Sequence, residues 1–181
     1  MVKSLLMRPL FIFILLSLSC TIKAQTDSSK IAIDTTPKQV VVAPYLKNPT
    51  IPTFSIQLQD SSWFFKTNLS DRKPVLILYF SPDCGHCQLE TEEIMSKVKL
   101  LKDLQIIMIT SRPFEDMLKF IQHYKLDKFP TITVGKDHAR LITRFYDIRF
   151  TPFSALYSKK GKLVKVYPKG IDMSELIKLV N

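Results

Sequence analysis

The chain has 181 residues, 46% of them apolar, and carries 26 Lys and Arg against 16 Asp and Glu. That length suits one domain with a real core and a tail. The excess positive charge is scattered, with Asp and Glu between the lysines and no basic run interleaved with aromatics, which excludes a nucleic-acid-tracking surface.

The first element is a leader. Lys3 and Arg8 form a positive start, Leu10 to Leu18 is an apolar run broken only by Ser17, and small or polar residues follow, the order of a secretory signal. A run of about ten residues is too short to span a bilayer, which takes roughly 20. Two ends are open. Cleavage after Ala24 would leave a soluble protein beginning at Gln25 and remove residues 1–24. Alternatively, Ser17-Leu18-Ser19-Cys20 resembles a bacterial lipobox, and a lipidated Cys20 would anchor the protein to a membrane. Both predict export, to the bacterial periplasm. Residues 25–48 are rich in Thr, Ser, Asp and Lys and contain Pro37 and Pro44, so they read as a flexible linker or arm, with Val40-Val41-Val42 a candidate edge strand. The folded domain is expected over 49–181.

Within it the apolar periods alternate. Thr53–Leu58 and Trp63–Phe65, separated by Asp60-Ser61-Ser62, predict an opening hairpin. Val75–Phe80 is continuously apolar, as a central strand covered on both faces would be. Ser81-Pro82-Asp83 breaks it, and Gly85 to Leu101 predicts a helix. Leu104–Ile109 is the next strand, and Pro113 opens a helix reaching Tyr124. Phe129–Val134 predicts a strand and Lys136–Phe145 a helix. Phe153–Tyr157 and Lys162–Tyr167, joined by Lys159-Lys160-Gly161, form a second hairpin, and Ile171–Val180 closes the chain as a helix. The βαβα order implies parallel central strands.

The chemistry concentrates at Cys84-Gly85-His86-Cys87, placed where a strand gives way to a helix. With Cys20 removed or lipidated, these are the two cysteines of the folded part. A lone close pair is a poor staple, because the loop it closes is too short to constrain the unfolded chain. A helix N-terminus places the first sulfur beside unpaired N–H groups and the positive end of the dipole, which favour thiolate. The thiolate is the attacking species in disulfide exchange. Cys84 is therefore expected to attack and Cys87, one turn deeper, to resolve. Gly85 leaves room for a substrate chain. His86 either tunes the pair by stabilising the Cys84 thiolate or is a solvent-facing turn residue. No metal is expected: zinc takes about four ligands, and beyond the pair and His86 the chain offers only His123 and His138.

With strand, Cys-x-x-Cys, helix and a closing ββα in view, the domain resembles the thioredoxin superfamily, and more narrowly the TlpA/ResA-like extracytoplasmic thiol–disulfide oxidoreductases. The opening hairpin, the Lys73-Pro74-Val75 lead-in, the extra strand–helix segment over Phe129–Phe145 and the closing hairpin ending in Gly170 carry the narrower match. The resemblance implies an α/β, three-layer fold in which helices flank a mixed central sheet, with an N-terminal β-hairpin and a central strand–helix insertion. It implies a cis-proline opposite the pair, whose neighbour hydrogen-bonds substrate as an added strand. Pro152 is chosen over Pro130 because the ββα ending follows Thr151-Pro152 directly, which makes Thr151 and Pro152 substrate-binding. Glu90 stands where that family has a proton-relaying Glu, the other reading being a helix-surface charge. Leu78 replaces the Asp of plain thioredoxins, and Asp83 the family's usual Trp, where its charge would oppose thiolate formation.

The function implied is an enzyme, a thiol–disulfide oxidoreductase that reduces or exchanges protein disulfides with electrons from an unidentified donor. It would need no cofactor beyond the redox-active Cys84–Cys87 disulfide and would act as a monomer. An oxidase or isomerase using the same pair, or a non-catalytic binding domain of the same fold, are the alternatives.

Overall fold

The computed structural model describes residues 42–181; the leader, Cys20, and the arm as far as position 41 lie outside them. Seven strands form one mixed sheet in the order β2-β1-β5-β4-β3-β6-β7. The strands are β1 (Ser55–Gln57), β2 (Trp63–Phe65), β3 (Val75–Tyr79), β4 (Gln105–Thr110), β5 (Ile132–Lys136), β6 (Phe153–Tyr157) and β7 (Leu163–Tyr167). The helices are α1 (Pro44–Lys47), α2 (Gly85–Ser96), α3 (Phe114–Tyr124), α4 (Leu141–Tyr146) and α5 (Met173–Val180). β3, β4 and β5 run parallel, and β6 returns antiparallel on β3. This is the expected α/β fold, and the continuous apolar run of β3 does lie in the interior of the sheet, between β4 and β6. Its alternate side chains enter different cores: Leu76 and Leu78 join Ile94, Phe120 and Leu176, while Val75 and Ile77 join Phe54, Ile142 and Tyr157. Both faces of the sheet are thereby covered, as a parallel centre requires.

Four expectations need correction. The helix opened by the cysteine pair stops at Ser96, where Lys97 leaves helical geometry (φ −113, ψ 9) and a separate 3-10 turn, Val98–Leu101, follows. Leu101 is buried all the same, so the apolar spacing that suggested one long helix is met by a break. The strand expected over Phe129–Val134 starts at Ile132. Phe129 closes a 3-10 turn, and Pro130 has no N–H for a ladder. The helix expected over Lys136–Phe145 shrinks to α4, because Lys136 ends β5 and the buried Asp137 caps the helix from outside, its Oδ2 accepting from the Ile142 N–H at 2.9 Å. Finally, the described part of the arm is structured. α1 falls within 25–48, and its Tyr45 ring packs 5.6 Å from that of Tyr146 on α4. Of the candidate edge strand only Val42 is described, and it is not in a strand.

Candidate active site

The site is assembled where β3 ends. Phe80 continues its line by bonding to the Ile109 carbonyl (2.9 Å), and the Ser81-Pro82-Asp83 turn closes with the Cys84 N–H on the Ser81 carbonyl (3.1 Å). Cys84 occupies the N-cap of α2 in extended geometry (φ −91, ψ 113), and its carbonyl accepts from Gln88 (3.1 Å). Nothing lies within 4 Å of where a Cβ on Gly85 would stand, so that side of the turn is open. His86 is exposed.

The two sulfurs sit in contrasting surroundings. Both are free thiols; Cys84 is half-buried and Cys87 is 1% exposed. Burial pushes the Cys87 thiol up to about 12, so it keeps its proton at neutral pH and offers it to the Cys84 sulfur. Burial also works against the Cys84 thiolate, but Thr151, the Cys87 thiol and the backbone N–H groups of Cys87 and His86 together outweigh it. They hold Cys84 below the ordinary thiol value. As a thiol, Cys84 instead donates to the Thr151 carbonyl, Sγ···O 3.5 Å. The Thr151–Pro152 peptide is cis, and it is this segment that faces Cys84. Pro130 lies elsewhere, beside the turn before β5.

Glu90 is not a surface charge: it is 7% exposed, one helical turn beyond Cys87. Its Oε2 accepts from the Ile171 N–H at 3.0 Å and its Oε1 from the Ser154 hydroxyl at 3.4 Å. Desolvation raises its pKa, and these two bonds oppose the rise only in part. Gly170 makes this contact possible. At φ +117 it adopts a conformation that L side chains rarely reach, and a Cβ there would meet Glu90 Oε2 at 3.2 Å. Ser154 on β6 pairs directly with Leu78 on β3. The buried polar group missing from β3 is thus provided by α2 and β6.

Asp83 behaves differently from its sequence reading. Its carboxylate accepts from Ser81 and from the Arg112 guanidinium, N···O 2.9 Å, and the Ser81 bond leads in holding its pKa down. Arg112 is therefore a site residue that the sequence did not reveal, since it lies beyond the end of β4 and needs the β3–β4 register to bring it there. Ser154 and the Ile171 N–H were missed for the same reason. Among the described residues no three His, Cys, Asp or Glu side chains converge for a metal, and no helix is long and apolar enough to cross a membrane.

A buried thiol and a half-exposed thiol of lower pKa, at a strand–helix junction of this sheet and opposite a cis-proline, define a thioredoxin-like oxidoreductase. The chain belongs to the thioredoxin family, whose sequence model matches residues 54–149. Solved structures agree in fold. A secreted Mycobacterium tuberculosis disulfide oxidoreductase, homologous to E. coli DsbE, is 19% identical over 70% of this chain and 93% of its own, with a TM-score of 0.59. The thioredoxin domain of a Bacteroides vulgatus thiol-disulfide oxidoreductase is 20% identical over 73% and 96%, with a TM-score of 0.62. The pneumococcal exposed lipoprotein thioredoxin of Streptococcus pneumoniae is 20% identical over 71% and 98%, with a TM-score of 0.54. No curated protein matches the chain in sequence.

Proposed function

We propose that the protein is an exported, TlpA/ResA-like thiol–disulfide oxidoreductase that reduces protein disulfides through a mixed disulfide on Cys84. The asymmetry of the pair, a half-exposed Cys84 with a lowered pKa beside a Cys87 held near 12 by burial, carries the mixed-disulfide chemistry; the reducing direction rests on the resemblance to the TlpA/ResA-like proteins. The Cys84 thiolate attacks one sulfur of the substrate, the substrate S–S bond breaks, and a substrate thiolate leaves to take a proton from solvent. Cys87 then gives its proton to the Glu90 carboxylate and attacks Cys84 Sγ. The mixed disulfide breaks, the second substrate sulfur departs as a thiolate that takes a proton from solvent, and a Cys84–Cys87 disulfide remains. Two electrons have passed to the substrate, and a donor dithiol restores the pair. Thr151 supplies backbone for the substrate strand, and Pro152 holds that segment against Cys84. Gly85 leaves the approach open. No cofactor or metal takes part, and a monomer suffices.

Export rests on the leader, and membrane anchoring on Cys20; a mass shift on Cys20 in the mature protein would establish the anchor. The lowered pKa of Cys84 also stabilises the reduced pair, which favours the oxidase or isomerase direction. Equilibrating the protein in thiol/disulfide buffers and counting alkylated cysteines by mass separates the readings. A potential of about −270 mV fits a reductant, and about −120 to −180 mV an oxidant or isomerase. The absence of any two-electron couple would leave a binding domain. Replacing Cys87 by Ser should accumulate mixed disulfides with substrate proteins on Cys84.

A further inference from the structure

The segment that faces Cys84 carries an unexpected ring. Phe150 is 73% exposed, the most exposed of the large apolar side chains among the described residues. It directly precedes Thr151, whose carbonyl lies 3.5 Å from the Cys84 sulfur. Solvation of a whole aromatic face at such a point is unfavourable in the free protein and is relieved only when something covers it. Beside the ring is a cavity of about 250 Å³ whose walls include Tyr79, Phe80, Arg112, Ile148 and Arg149. Both arginines already face carboxylates, Arg112 that of Asp83 at 2.9 Å and Arg149 that of Asp147 at 3.2 Å. A cationic side chain entering it would lose hydration beside two guanidinium groups without gaining a partner.

We infer that Phe150 is a specificity-determining residue: its ring and the adjoining cavity take an aliphatic or aromatic side chain that neighbours the reacting cysteine in an extended substrate peptide. The inference rests on the oxidoreductase reading above and names its substrate class. A peptide added as a strand along Thr151 turns alternate side chains to opposite sides. One neighbour of the substrate cysteine is thereby directed at Phe150 while the sulfur meets Cys84. Asp83, immediately before Cys84, offers a charge already engaged by Arg112 and no ring.

The test uses the full chain and two disulfide-linked peptides identical except that the residue next to the cysteine is Leu in one and Lys in the other. The expected result is kcat/KM about tenfold higher for the Leu peptide, expressed mainly in KM, as burial of one large apolar side chain would give. Phe150→Ser should bring the Leu/Lys ratio close to one, and Phe150→Tyr should keep most of it. Because the side chain is exposed, these variants should fold as the parent does. A parent without preference, or a Phe150→Ser variant that retains it, overturns the inference and leaves the oxidoreductase reading standing. A parent that reduces neither peptide nor a small disulfide such as hydroxyethyl disulfide overturns both.

Discussion

At the scale of single residues, the protein separates two chemically identical thiols by environment. Alkylation of Cys84 should follow its thiolate and reach half its limiting rate below the ordinary thiol pKa, while Cys87 resists alkylation until the fold opens. Arg112→Ala releases the Asp83 charge beside Cys84, so the thiolate becomes less favourable and alkylation at neutral pH slows by about two- to fivefold. The loss should shrink as salt is added, as for any exposed ion pair. Glu90 gives a prediction of opposite character. Its folded pKa lies above the ordinary 4.5, so the folded protein binds its proton more tightly than the unfolded chain does. That contribution is fully present at pH below 4.5 and is lost as pH rises through the folded value. Glu90→Gln should therefore melt no lower than the parent at pH 8, and relative to the parent should lose ground as the pH falls from 8 toward 4.5, with no further loss below it. The same variant should slow release of the mixed disulfide. The cysteine pair, with Cys84 the more exposed and Cys87 the deeper, was legible in the sequence because that contrast depends on neighbours within one helical turn. The burial of Glu90 was not, because Ser154 and Ile171 reach it from strand and loop positions more than sixty residues away.

At the scale of elements, two close approaches fix how the additions to the central sheet are seated. Gly135 lies in β5 beside β1, and a Cβ on it would come within 2.7 Å of the Ile56 side chain. Gly135→Ala should cost about 1–3 kcal/mol by overpacking, measured by chemical denaturation, with Ile56→Val restoring part of the loss. Tyr146 at the end of α4 shares a buried hydrogen bond with Tyr157 on β6. Replacing one by Phe strands the other hydroxyl, at about 1–3 kcal/mol, whereas replacing both should be nearly neutral. The order of these elements could be read from alternating apolar runs. Their limits could not wherever apolar residues serve a turn: Phe129 packs against the core from a 3-10 turn, and Leu101 from another. Asp137 reads as an ordinary helical residue until the fold shows it buried and bonded to the start of α4.

At the scale of the molecule, one sheet is shared by two cores, and β3 feeds both. Leu76→Ala and Ile77→Ala, neighbours in sequence but in opposite layers, should each cost about 2–5 kcal/mol. Each variant should still unfold in a single transition followed by circular dichroism and fluorescence alike; separate melting of the layers would contradict the shared sheet. The central position of β3 was legible because a strand buried on both faces has no polar alternation, whereas which helix covers which face depends on crossovers that no local pattern records. The Glu90–Ile171 bond gives this architecture an observable. The Ile171 amide, in the loop that leads into α5, donates to the Glu90 carboxylate, the group that receives the Cys87 proton in the proposed mechanism. Its nuclear resonance should shift whenever Glu90 gains or loses a proton, so one backbone amide can time the proton step of turnover without any label on the dithiol itself.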